Sequence, residues 1–177
     1  AREVSGSLVE IEVSKNNSLI QSGAFSTRIK GLSSEEFPPL PEFSESTSIK
    51  MKQAKVKSML RKTGFAVSVD ENRYVLNGLF LCFEEKKLTM VATDGRRLAL
   101  TEEETEQQTE KKLEIIVPTK AIQEINRQLG EEGEVEIRIT ENQASFNLGE
   151  EEGGAQVITK LVEGAYPNYK QVIPAES

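Results

Sequence analysis

Residues 91–100, VATDGRRLAL, set two adjacent cations directly behind an Asp-Gly turn signal, between two apolar runs. Paired arginines at a turn can grip a phosphate or a carboxylate. The pentamer Thr93-Asp94-Gly95-Arg96-Arg97 can equally be a plain connection. Asp94 with Glu84, Glu85 or Glu102 supplies carboxylates of the kind that hold Mg²⁺ for phosphoryl transfer. Those acids fall in exposed acidic segments, where carboxylates are solvated. No D-x-D pair, glycine-rich phosphate loop or metal-ligand spacing accompanies them. Asp94 is therefore read as a turn former that hydrogen-bonds its own backbone. The chain has no histidine, which excludes His-based acid–base work, Ser-His triads and His metal sites. The single cysteine, Cys82, lies in the apolar run LFLCFEE and reads as a buried structural thiol. No catalytic residue, metal or cofactor is expected.

Charge is the second source of chemistry. The 177 residues carry 22 Lys and Arg against 29 Asp and Glu, a net charge of −7. Between Lys50 and Lys62 stand six cations (Lys50, Lys52, Lys55, Lys57, Arg61, Lys62) and no acid, so the remainder totals −7 − 6 = −13. On a helix, Lys57 and Arg61 point away from the apolar face, and Lys52, Lys55 and Lys62 flank it. Further on, Lys120, Gln123 and Arg127 share one outward helical face. The acids collect in TEEETEQQTE, GEEGEVE and GEEEGG. Such a face is either solvated and balanced by nearby Glu, or it meets phosphates while the remaining surface repels them.

The elements that must position these groups are readable. STSIKM alternates as a short strand. KQAKVKSMLRKTGF is helical, with Val56, Met59, Leu60 and Thr63 on one face and Gly64 as its end. RYVLNGLFLCFEEKKLTMVATD reads as two strands with Glu84 to Lys87 as a hairpin turn. RRLALTEEE reads as a third strand leaving into an acidic loop, 101–112, and LEIIVP as a fourth. TKAIQEINRQLG is a second helix. Thr119 is its N-cap, Ala121, Ile122, Ile125 and Leu129 face inward, and Gly130 stops it. Three strands follow, giving about eight strands with two short helices, an α+β arrangement of helices on antiparallel sheet.

A repeat underlies this order. Val9-Glu10-Ile11-Glu12-Val13 matches Val135-Glu136-Ile137-Arg138-Ile139 at an offset of 135 − 9 = 126. Phe37-Pro38 matches Tyr166-Pro167 at 166 − 37 = 129. The chain thus reads as the tail of one copy (1–43) and one complete copy (44–177), joined by the proline-bearing, extended SSEEFPPLPEFSES. No apolar run approaches the ~20 residues of a membrane span and no signal peptide opens the chain, so a cytoplasmic location is expected. Residue 1 is Ala, as in a fragment.

The segments RYVLNGLFLCFEEKKLTMVATDGRRLAL and KLVEGAYPNYKQVIP resemble the middle domain of the bacterial DNA sliding clamp family, the beta subunit of DNA polymerase III. IQSGAFSTRIKGLSSEEFPPLP resembles the end of that family's first domain. The resemblance implies a DNA-clamp fold, and a processivity factor without catalysis. Full-length members are homodimeric rings of three-domain subunits, and the third domain is absent here. Implied partners are duplex DNA, and the DNA polymerase III catalytic subunit, clamp loader and repair proteins through short linear motifs. Carried over by position, a peptide pocket uses Leu76, Thr93, Gly95, Arg96, Arg97, Leu98, Pro167 and Val172. Arg96 stands where His is frequent and Gln171 where Arg is frequent. The resemblance puts the helix of Lys120, Gln123 and Arg127, and the first helix with Lys57 and Arg61, on the inner wall. Charge adds Lys52 and Lys55, which can also sit at an edge.

Overall fold

A computed structural model of the chain describes residues 8–149 and 154–174 and divides it into two units, Ala1–Glu42 and Phe43–Ser177. In the first unit, β1 (Glu10–Ser14), β2 (Asn17–Ser22) and β3 (Phe25–Lys30) form an antiparallel meander. Its two connections are two residues long, and each begins with a left-handed residue, Lys15 at φ 52° and Gly23 at φ 57°. Primed turns of that kind match the twist of the strands they join. A 3₁₀ turn, Ser34–Glu36, follows, with the Ser33 hydroxyl accepting the Glu35 N–H.

The second unit runs β4 (Thr47–Lys52), α1 (Gln53–Thr63), β5 (Gly78–Thr93), β6 (Leu98–Pro118), α2 (Thr119–Gln128), β7 (Glu134–Ile139), β8 (Gln143–Leu148) and β9 (Ala155–Lys160). One antiparallel sheet has the order β4-β7-β8-β9, and β5 and β6 form a long antiparallel ribbon. Both helices bury their apolar faces in one core. Val56, Met59 and Leu60 of α1 and Ile122 and Ile125 of α2 join Ile49, Leu81, Leu88, Ile137 and Phe146 from the strands. Each such side chain removed from water contributes ~1.5–3 kcal/mol, which holds the helices on the sheets. The architecture is the expected α+β one.

The meander recurs as β7-β8-β9. Val135, Ile137 and Ile139 are 0, 0 and 3% exposed, whereas Val9, Ile11 and Val13 are 47, 64 and 68% exposed. The alternating pattern is the same; in the second unit α1, α2 and β4 lie with the apolar side in one core.

Several expectations need correction. Glu84–Lys87 is not a hairpin turn: β5 continues through it, with register shifts on either side of Glu85, whose φ is 54°. This is a bulge, which kinks a strand without reversing it. Residues 101–112 are not a loop but the middle of β6. Thr105 and Thr109 turn inward and are buried, while Glu102, Glu104, Glu106 and Glu110 of this paired strand are exposed. The chain reverses instead at 94–97, between the paired residues Thr93 and Leu98. Arg73 to Leu76 belong to a 3₁₀ stretch, Glu71–Leu76, that is kinked at Arg73 (φ −112°, ψ 55°), not to a strand. Six strands, not eight, accompany the helices among the described residues of this unit. Thr119 is the first helical residue of α2 rather than its cap, and its N–H and hydroxyl both donate to the Asn77 carbonyl. Leu129, not Gly130, closes α2. Gly64 does end α1 as expected, with an ordinary right-handed backbone, and the chain runs on into a 3₁₀ turn, Gly64–Ala66.

Candidate functional site

The connection between β5 and β6 is built by its own side chains. Asp94 Oδ1 accepts the N–H groups of Arg96 (2.9 Å) and Arg97 (3.0 Å), and Oδ2 accepts Arg97 Nε–H (3.0 Å). The backbone N–H of Arg96 foremost, then that of Arg97, keeps the Asp94 carboxyl below the usual aspartate range. The Thr93 hydroxyl accepts the Gly95 N–H and donates to the Arg97 carbonyl. Gly95 has φ 84°, a left-handed backbone that calls for glycine; the nearest atom to a Cβ there is the movable end of Arg73, Nη1 at 2.7 Å. The Arg97 guanidinium lies 5.7 Å from the Phe65 ring centroid. Asp94 is thus a turn former, as read.

A strap from Tyr166 to Val172 passes beside this turn. The Tyr166 ring stacks on Phe80 with centroids 4.9 Å apart, and Tyr169 tilts against Phe80 at 5.8 Å. The Tyr166 hydroxyl accepts the Thr93 N–H at 3.1 Å, which ties the strap to the end of β5. Burial pushes the Tyr166 phenol up to about 12. The strap and the turn enclose an open concavity of about 430 Å³. It is lined by all eight residues named from the sequence: Leu76, Thr93, Gly95, Arg96, Arg97, Leu98, Pro167 and Val172. Leu76 is buried at the end of its 3₁₀ stretch and Leu98 is half-buried at the start of β6, while Val172 is 67% exposed. Asn168 and Tyr169 also line it and were missed. Their signal was their place inside the aromatic-Pro-x-Tyr motif that names Pro167.

The candidate phosphate-facing residues divide. On α2, Lys120, Gln123 and Arg127 are exposed. Arg127 forks onto Glu124, with Nη2 at 2.6 Å and Nε at 3.0 Å, and Gln128 donates to the same carboxylate. Lys57 of α1 is only 16% exposed in its side chain, because Nζ reaches Glu131 beyond α2 at 2.6 Å. Arg61 adds its field to the same carboxylate. These cations depress both acids: Arg127 above all for Glu124, Lys57 above all for Glu131. Lys55 instead pairs with Glu103 of β6 at 3.5 Å, and Lys52 is exposed at the end of β4. Lys57 and Arg61 therefore belong with the α2 side, and Lys55 with the β6 side. Behind both, the buried Gln53 side chain accepts the Gly130 N–H at 2.7 Å and donates to the Glu134 carbonyl at 3.1 Å. That clasp couples the start of α1 to the end of α2; a glutamine at the edge of an apolar stripe gave no sign of it. Burial, most of all, raises the Cys82 thiol, in keeping with a packing role.

The arrangement resembles known proteins. The family described as "DNA polymerase III beta subunit, central domain" matches residues 50–168. The beta sliding clamp of Chlamydia pneumoniae is 34% identical over 158 residues, 89% of this chain and 42% of that protein. The crystal structure of the DNA polymerase sliding clamp from Bacillus subtilis superposes with a TM-score of 0.84 at 30% identity, covering 99% of this chain and 46% of that one. That of a DnaN sliding clamp from Pseudomonas aeruginosa bound to griselimycin gives 0.83 at 30% identity, covering 95% and 45%. The chain therefore spans less than half the length of the relatives it matches. From its 3₁₀ stretch at Leu76 to its Tyr166–Val172 strap, this chain belongs to the DNA polymerase III beta subunit family, whose central domain is matched by residues 50–168.

Proposed function

We propose that this chain is part of a sliding clamp, a non-catalytic processivity factor that tethers a replicative polymerase and other replication and repair proteins to duplex DNA. Its second unit is the middle clamp domain. Its first unit is the tail of the preceding domain, a reading supported by the repeated meander and by the uncovered apolar side at Val9, Ile11 and Val13. In the full-length protein, two three-domain subunits close a ring in the bacterial cytoplasm. Lys120, Gln123 and Arg127, with Lys57 and Arg61, face the duplex. Lys52 and Lys55 add charge nearer the β6 edge. Contacts to phosphate alone carry no sequence information and are remade at each step, which is what sliding needs.

The observation that carries the reading is the concavity beside Gly95. Three segments far apart in sequence bring Leu76, Leu98, and Pro167 with Val172 to one apolar surface next to a rigid turn. Such a site suits a short linear peptide anchored by a leucine and an aromatic. Burying the leucine contributes ~1.5–3 kcal/mol, a large part of the ~8 kcal/mol of a micromolar site. Arg97 Nε is committed to Asp94, so a peptide carbonyl or carboxylate is left to the remaining guanidinium N–H groups and to the exposed Arg96. A fluorescent Gln-x-x-Leu-Phe-type peptide titrated into wild type and Val172→Asp tests this. Val172 is exposed, so the variant should keep its melting temperature while the buried charge removes most of the affinity. Equal affinity in a folded Val172→Asp protein places the peptide elsewhere and overturns the reading.

A further inference from the structure

A second and larger concavity, about 580 Å³, lies on the other side of the same strap. Pro167, Asn168 and Tyr169 line both, so the two share a wall. The floor of the second is Phe80 and Ile116, and one side is the outer edge of β6 at Glu114–Ile116. The Ile116 carbonyl accepts the Val162 N–H at 2.9 Å and so points away from β5. In an antiparallel pair the residue two positions back has the same sense. Val162 thus already lies against the edge at Ile116, and next to it both main-chain groups of Glu114 turn outward, where an extended segment can continue the edge. The charges at the rim are uneven. Lys112 is engaged by Glu114 at 2.5 Å. That leaves Glu141 and Glu163 against Lys170, a local balance of −2 + 1 = −1.

We propose that this second concavity takes the flank of the same linear peptide that fills the first, in extended form along β6, with a Lys or Arg of the flank received by Glu141 and Glu163. The inference rests on the peptide reading of the first concavity. It adds a basic residue outside the leucine-aromatic core as a determinant of which partners bind, and it needs no covalent step. The strap is then a saddle between an apolar anchor site and an acidic flank site. Tyr166 and Tyr169, packed on Phe80, support both sides.

The test uses this chain and labelled peptides: a Gln-x-x-Leu-Phe core, and the core extended at either end by Gly-Lys-Gly-Lys or by Gly-Ser-Gly-Ser. One Lys extension should tighten binding about three- to tenfold over its Ser control at low salt, the size expected of two partly exposed ion pairs. Glu141→Gln/Glu163→Gln should abolish that gain and leave the core affinity unchanged. Glu10→Gln/Glu12→Gln, which removes the same charge from exposed residues of β1, should preserve the gain. The proposal is overturned if neither Lys extension tightens binding, or if the gain survives Glu141→Gln/Glu163→Gln. Loss of the gain in Glu10→Gln/Glu12→Gln also overturns it, because the effect is then one of net charge. Failure of the core peptide to bind, or its indifference to Val172→Asp, sinks the first concavity's reading and this inference with it. A core that binds and responds to Val172→Asp while the extensions do nothing sinks this inference alone.

Discussion

Replacing Tyr166 by Phe removes one oxygen and keeps the ring stacked on Phe80. The lost hydroxyl accepts the Thr93 N–H at 3.1 Å. Its removal leaves that amide unpaired where strap, turn and β5 meet, at a cost of about 1–2 kcal/mol. No sizeable cavity adds to this, because the ring volume is kept. For a chain of this size the melting temperature should fall by roughly 2–8 °C. The pH dependence separates this account from a general loosening. Burial raises the phenol from 10.0 to about 12, and the Thr93 N–H offsets this only in part. The folded protein therefore holds the phenolic proton more tightly than the unfolded chain. The resulting stability is fully present below pH 10 and is lost as pH rises towards 12. Wild type carries this loss and the phenylalanine variant does not. Urea unfolding followed by circular dichroism at pH 8, 10 and 11 should show the variant less stable at pH 8 and its deficit shrinking by pH 11. Equal stability at pH 8 refutes the assigned hydrogen bond, and a deficit that stays constant with pH refutes the burial of the phenol.

Gln53→Ala strands the Gly130 N–H and the Glu134 carbonyl in the interior, and should cost about 2–3 kcal/mol in urea unfolding with an unchanged m value. Asp94→Ala unties the N–H groups of Arg96 and Arg97, and should weaken core-peptide binding at pH 7 without unfolding the protein. Because the Asp94 carboxyl is depressed, its contribution is complete above the ordinary value of 3.8 and is lost only as pH falls through the folded-state value. The Arg96 amide resonance should therefore titrate with a midpoint below 3.8. Glu124→Gln frees Arg127, and in a closed full-length ring should strengthen duplex retention and steepen its salt slope by about one unit; Arg127→Glu should flatten the slope by as much. An unchanged slope in salt-dependent retention assays removes Arg127 from the DNA face.

Local pattern alone was enough for both helices and their inward faces, because Val56, Met59, Leu60, Ile122 and Ile125 recur at helical spacing and each face needs a single covering surface. The leading strand of each meander was equally legible, since residues 9–13 and 135–139 alternate in the same way. The length of β5 and β6 was not. Glu102, Glu104 and Glu106 look like loop when the inward residues between them include a Thr, and burial of Thr105 and Thr109 depends on what is packed beneath. The charges there are also held across elements, as Lys55 with Glu103 and Lys87 with Glu102. Gln53 shows the same limit: its partners stand 77 and 81 residues away, beyond any local pattern. The members of the first concavity came from matched motifs, position by position. That Leu76, Leu98, Pro167 and Val172 share a surface, with Asn168 and Tyr169 among them, follows from the strap's aromatic packing on Phe80 and its bond to Thr93. Val135 and Val9 make the distinction plainest. Both sit in the same alternating pentamer, yet one is buried and the other half-exposed, because burial depends on the surface brought against a strand and not on the strand's own residues.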